Sequence, residues 1–173
     1  MRKSRVPVTT DYSGRLVDLE LLQSIKEPDV DTRVYPAITH KIGDRNTAPK
    51  MVTGVEKAVQ RYFNLLTTDT GSVKFFPNRG GDLVSRVLNG TVSSDNLLTT
   101  LFAFASTTAL ALLNDDDDNE EFGPIPDDER ITDATLSSWD IDYASQTVSL
   151  HIDLSFASGS TYSFVLPVTS GLT

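Results

Sequence analysis

The chain has 173 residues, of which 39% are hydrophobic and 23% charged, the balance of an ordinary soluble domain rather than of a fibrous or wholly disordered chain. It contains no cysteine, which excludes disulfide frameworks, thiolate nucleophiles and cysteine-ligated metal centres. Its formal charge of −9 is concentrated in residues 114–130, which hold nine acidic residues and one basic residue and leave the remainder nearly neutral.

The first residues carry Arg2, Lys3 and Arg5 but no apolar run of the length a secretion signal requires, so no signal peptide is expected. Three basic residues at one terminus also fall short of the basic face that displaces counterions from phosphates, so no nucleic-acid partner is expected. Residues 1–53 are interrupted by Pro7, Pro28, Pro36 and Pro49. Each proline restricts its own φ and the residue before it, which predicts an irregular N-terminal extension that wraps the domain or a neighbour. Its one apolar patch, from Leu16 to Leu22, fits either a strand or a short helix.

Val55, Ala58, Val59, Tyr62, Phe63 and Leu66 recur at three- and four-residue spacing and predict a helix over 54–66. Polar residues 67–72 end it, and Val73-Lys74-Phe75-Phe76 reads as a short extended piece. After Gly80-Gly81, the residues Leu83, Val84, Val87 and Leu88 form a short helix that stops at Asn89-Gly90. Ser93, Ser94 and Asp95 supply a cap for a third helix with Leu97, Leu98, Leu101, Phe102, Ala105, Ala109, Leu112 and Leu113 at helical spacing. That helix is apolar nearly all round and is expected at the centre of the core. Its threonines and serines and its length keep it below a membrane span of about 20 apolar residues, so no membrane is expected. Asp115 to Asp118 place four negative charges at the negative pole of the helix dipole. The helix should therefore end there, and residues 114–127 should form a mobile acidic loop.

Beyond Arg130 the period changes from 3.6 to 2. Trp139, Ile141 and Tyr143 alternate with Asp140 and Asp142, and Val148, Leu150, Ile152, Leu154 and Phe156 alternate with polar residues. Tyr162, Phe164, Leu166 and Val168 complete a third strand, joined by hairpin-length connections. The predicted fold is α+β: an irregular extension over 1–53, then a domain over 54–173 with three helices followed by an antiparallel three-stranded meander.

Candidate chemistry is sparse. His40 and His151 stand far apart, and no GxSxG elbow or histidine-centred motif is present to activate a hydroxyl. The acidic tract lacks the spacing of an EF-hand, and Asp140 and Asp142 more simply face water from one strand than flank a sugar. The glycines in Pro77-Asn78-Arg79-Gly80-Gly81-Asp82 lack the lysine of a phosphate loop and read as a turn. No catalytic residue, metal ligand or cofactor is expected.

The run Leu65-Leu66-Thr67-Thr68-Asp69-Thr70-Gly71-Ser72, followed by Phe76-Pro77-Asn78-Arg79-Gly80-Gly81-Asp82-Leu83, resembles the signature of the small baseplate wedge proteins of contractile-tailed phages. Relatives of that family act as sheath initiators in phage tails, pyocins and type VI secretion baseplates. The resemblance covers about residues 54–168 and implies a structural, non-enzymatic protein of the virion tail baseplate, present in the host cytoplasm during assembly. It implies two surfaces. A charged motif, mapping to Asp128, Glu129 and Arg130, would bind the wedge helical bundle. The C-terminal strands, with Val148, Leu150, Ile152, Leu154, Tyr162, Phe164 and Leu166, would join the tail sheath protein by strand addition. Baseplate wedge proteins and sheath protein are thus the expected partners, with the tail tube as a further candidate. The chain departs from the family pattern in having Asp128-Glu129 where glutamate-proline would stand, Val73 for an arginine, and Arg79 where an acidic residue is usual. The alternatives are a cell-wall glycosidase of the tail, which needs two close carboxylates in a cleft, and an adaptor at another tail or neck junction.

Overall fold

The computed structural model describes residues 18–26, 36–40, 51–89, 94–117, 125–142, 144 and 147–169. The basic N-terminus, Leu16 and Val17, Gly90, Ser93, Tyr143 and residues 118–124 of the acidic tract lie outside the described residues. The elements in chain order are β1 (Asp18–Leu19), β2 (Leu22–Lys26), β3 (Pro36–His40), β4 (Met51–Val52), α1 (Val55–Thr67), α2 (Leu83–Leu88), α3 (Asp95–Asp117), β5 (Ile131–Asp142), β6 (Thr147–Phe156) and β7 (Thr161–Thr169). The α+β class, the three helices and the antiparallel β5–β6–β7 meander agree with the sequence.

The N-terminal extension is more ordered than its prolines suggest. β2 and β3 form an antiparallel hairpin, and β3 lies parallel to β7 with Ala37 opposite Val165. The main sheet therefore has five strands in the order β2-β3-β7-β6-β5. β1 pairs with β4 just before α1. Gln60 of α1 holds this arm by its backbone: its Nε2 donates to the Leu19 carbonyl at 2.8 Å, and its Oε1 accepts from the Leu21 N–H at 2.7 Å. A side-chain amide bonding residues i and i+2 in this way reproduces one rung of a parallel ladder.

The core lies between the helices and one face of the sheet. Ala58, Val59, Tyr62, Phe63 and Leu66 from α1 meet Leu98, Phe102, Ala105, Ala109 and Leu113 from α3. Leu150, Ile152, Leu154 and Phe156 from β6 and Phe164, Leu166 and Val168 from β7 close it from below. The Tyr62 hydroxyl, buried among them, donates to Ser106 Oγ at 3.0 Å, and burial pushes its pKa well above the ordinary tyrosine value.

α3 departs from expectation twice. It buries one face only, with Phe104 62% exposed on the other beside Thr100, Ala103, Thr107 and Ala111. By length and composition it could cross a membrane, and 33% of its apolar window is buried inside this fold. The hydroxyls of Thr99, Thr100, Thr107 and Thr108 each donate to the carbonyl four residues back, so the outer face needs no further partner for them. The helix also runs on through Asp117 rather than ending at 114. Arg79 pairs with Asp116, and Arg61 Nη2 lies 3.8 Å from the same carboxylate, so two guanidinium groups offset the repulsion at the negative helix pole.

The segment 69–81 returns the chain from α1 to α2 as linked turns rather than an extended piece. The Gly81 N–H donates to the carbonyls of Leu65 and Thr68 at the end of α1, at 3.0 and 3.1 Å. Gly80 makes this approach possible: it sits at φ +134°, and a Cβ there would lie 2.4 Å from the Thr68 carbonyl oxygen. At Gly71, with φ +83°, a Cβ would meet nothing within 4 Å. Gly80→Ala should therefore cost about 2–4 kcal/mol in urea unfolding, against only about 1–2 kcal/mol for Gly71→Ala. Equal losses would show that the close approach at Gly80 is not what holds this loop.

Candidate functional site

Of the charged corner, Glu129 turns inward and is only 3% exposed. Its Oε2 lies 2.9 Å from Lys57 Nζ, and its Oε1 accepts from the Gly54 N–H at 2.9 Å and the Thr53 hydroxyl at 3.2 Å. Gly54, at the N-cap of α1, has no side chain with which to satisfy the first helical N–H groups. Glu129, 75 residues away, accepts the N–H of Gly54 itself and sets its charge at the positive pole of the helix dipole. The expectation that Glu129 binds the wedge is thus corrected, because its carboxylate is already enclosed by partners of its own chain. The turn that carries it is pinned on the other side too. Ala157 and Ser158 donate backbone N–H groups to the carbonyls of Arg130 and Asp127, at 3.0 and 3.1 Å. Asp128 and Arg130 flank it, half-buried, and are the parts of the motif that reach the surface.

The strand-addition surface is corrected as well. β6 pairs with β5 on one side and β7 on the other, and β7 lies between β6 and β3. β6 has no open edge, and β7 is met beside Val165 by Ala37 of the N-terminal hairpin, the one β3–β7 partner pair among the described residues. The side chains of Leu150, Ile152 and Leu154 on β6 and of Phe164 and Leu166 on β7 are buried in the core, and Val148 and Tyr162 are half-buried. Tyr162 has its pKa raised by burial and, to a lesser degree, by the nearby Glu56 charge.

The open edge of the meander is β5, which among the described strands pairs only with β6. It is 12 residues long, and its ladder shifts register between Ile131 and Asp133 and between Leu136 and Ser138. These shifts are β-bulges, frequent devices on edge strands. The hydroxyls of the two displaced residues, Thr132 and Ser137, donate to the β6 carbonyls of Ser155 and His151, each at 3.1 Å. Asp133, Asp140 and Asp142 are exposed along this strand.

Residues 73–76 form a second surface that periodicity did not reveal. Phe75 is 82% and Phe76 57% exposed at the tip of the turn segment after α1. Two adjacent phenylalanines in a short run bounded by Gly71 and Pro77 are the signal in the sequence, masked by their reading as a short extended piece. Lys74 Nζ and the Arg79 guanidinium carbon lie 5.9 and 5.4 Å from the Phe75 and Phe76 ring centres, within cation–π range.

Among the described residues, no group of three or more histidine, aspartate or glutamate side chains is placed to hold a metal ion. Compared with known proteins, the chain matches no family model and no curated protein.

The inward orientation of Glu129 has a measurable consequence. Lys57→Met or Glu129→Ala alone should cost about 3–5 kcal/mol, because each leaves a charge buried without its partner. The double substitution should cost distinctly less than the sum of the two, as read from a double-mutant cycle in urea. A Glu129→Ala change within about 0.5 kcal/mol of wild type, the usual range for surface positions, would place this carboxylate on the outside.

Proposed function

We propose that this chain is a structural subunit of a contractile-tail baseplate, a sheath initiator that joins the wedge to the sheath and starts sheath polymerisation by receiving a partner strand. The observation that carries the reading is the open β5 edge, a 12-residue strand that among the described strands pairs with β6 alone. Unpaired backbone groups along such an edge are what an incoming extended arm recognises. The ordered run of motifs over residues 65–83 supports the family, and the buried β6 and β7 move the site of addition from 148–168 to 131–142.

In this reading the two working surfaces are contiguous. Asp128 and Arg130 reach the surface one turn before β5 begins, so a contact with the wedge at the corner and one with the sheath along the strand share a single rigid segment. That segment is held by Glu129 on one side and by the β6–β7 turn on the other. A load carried from sheath to wedge would pass through paired backbone rather than a linker. The tail sheath protein and the wedge proteins are the proposed partners, with the tail tube as a further contact, and the protein works by assembly rather than turnover.

The test is sheath growth from purified components. The chain mixed with sheath protein and tail tube should seed ordered sheath, and absence of any effect would count against the reading. A proline scan over residues 132–140 locates the edge, because proline removes a donor without harm only where the N–H points away from β6. Proline variants that keep the wild-type melting temperature should lose seeding. Seeding that survives them, and is instead abolished by a disulfide locking Ala37→Cys to Val165→Cys, would move the site to β7.

A further inference from the structure

We propose that the β5 edge selects an amphipathic basic strand, an extended segment of another protein that alternates apolar residues with lysine or arginine, a step that rests on β5 receiving a strand at all. The two bulges set which side chains such a strand meets. Each places one extra residue, Thr132 or Ser137, outside the ladder, so the alternation of faces resumes shifted by one residue beyond it. Ala134, Leu136 and Trp139 lie opposite the core residues Leu154, Ile152 and Leu150 of β6. Asp133, Ser138 and Asp140 lie opposite Ser155, His151 and Ser149 on the other face. The bulged strand thus shows a partner two separate rows, one apolar and one acidic and hydroxylic.

The apolar row is covered on one side only. Leu150, Ile152 and Leu154 are 0% exposed, whereas their β5 partners stay half-buried and Ile141, nearer the end of the strand, is 39% exposed. With β6 filling one side, the place for further cover is the other, where an added strand would stand about 4.8 Å away. Every second residue of that strand meets this row, and apolar side chains there extend the core by one strand.

The outer row sets the charge of the alternate residues. From Ile131 to Thr173 the sequence holds Asp133, Asp140, Asp142 and Asp153 and no lysine or arginine. In the corner before the strand, Glu129 is balanced by Lys57, and Asp128 and Arg130 cancel in formal charge. The Asp142 carboxylate accepts the Ala144 N–H at 2.9 Å, and that of Asp153 accepts from Ser163. Asp140 and Asp133, whose Oδ2 takes a long 3.4 Å bond from the Thr135 hydroxyl, stand exposed on the edge strand itself. Lysine or arginine at the facing positions of an incoming strand pairs with them, whereas acidic residues there are repelled. The β5 of a second copy brings the same aspartates and no cation.

The experiment adds synthetic peptides of about 10 residues, a strand's length, to the full chain. One alternates lysine with valine, one alternates glutamate with valine, and one has the lysines and valines of the first in adjacent pairs, so that neither face of a strand is uniform. The lysine–valine peptide should bind and slow amide exchange along β5, and not along β2, the other edge of the sheet. Asp133→Lys/Asp140→Lys should raise its Kd about 10-fold at low salt and lower that of the glutamate–valine peptide, with the melting temperature unchanged. Asp133→Asn/Asp140→Asn, which adds no cation, should raise it about 3-fold. The proposal is overturned if the lysine–valine peptide does not slow exchange along β5, if either other peptide binds as well, or if neither pair of substitutions changes the affinity. Sheath growth from purified components separates this from the tail reading. Wild-type seeding that the lysine pair leaves intact contradicts the basic strand and keeps the tail subunit. Absence of wild-type seeding, with the peptide selectivity present, keeps the basic strand and contradicts the tail subunit.

Discussion

The buried carboxylate of Glu129 fixes how the helical and strand halves of this chain meet. It binds Lys57, the Gly54 N–H and the Thr53 hydroxyl at the start of α1, while its own backbone lies in the turn that leads into β5. An ionised group this enclosed is tolerated only when nearly all its acceptor capacity is used, and here both oxygens are engaged. The direction in which β5 leaves the turn, and so which strand edge faces outward, follows from that anchorage. The acidic tract before it can vary in length without moving the strand, because the turn is pinned after the tract ends.

The second determinant is the N-terminal hairpin. A three-stranded meander has two open edges, and β2–β3 fills the one beside β7. One edge of the meander is thereby closed within the chain and the other, β5, is left with its bulges and its row of exposed aspartates. Such features discourage indiscriminate edge-to-edge pairing while leaving room for a partner of matching charge. The same economy appears in the loop after α1, where glycines at 80 and 81 let the backbone close against the helix end and hold two phenylalanines in water.

The helices and the β6–β7 pair were legible because their apolar residues keep strict periods. β5 was legible only at its end. Its inward residues Ile131, Ala134, Leu136 and Trp139 are spaced by three, two and three, since each bulge adds a residue, and no period of two survives that. The extent of α3 was misjudged because charge repulsion at Asp115 to Asp118 is visible in the sequence, whereas the opposing Arg61 and Arg79 arrive from distant segments. The corner at 128–130 stands out in the sequence as a charged motif, but that the Glu129 carboxylate meets a partner within the chain depends on Lys57, 72 residues away. The hairpin over 22–40 went unread because prolines at 28 and 36 suggested irregular chain, although Pro36 sits at the first position of β3, where a missing donor is tolerated.

The central claim is that β5 is the open edge and that β6 and β7 are closed. Residue-resolved amide hydrogen exchange on the isolated chain tests it most directly. The account predicts slow exchange throughout β6 and β7 and, along β5, protected amides facing β6 interspersed with fast ones facing outward. Fast exchange along β7 with uniform protection across β5 would contradict it, because the open edge would then lie on the other side of the sheet.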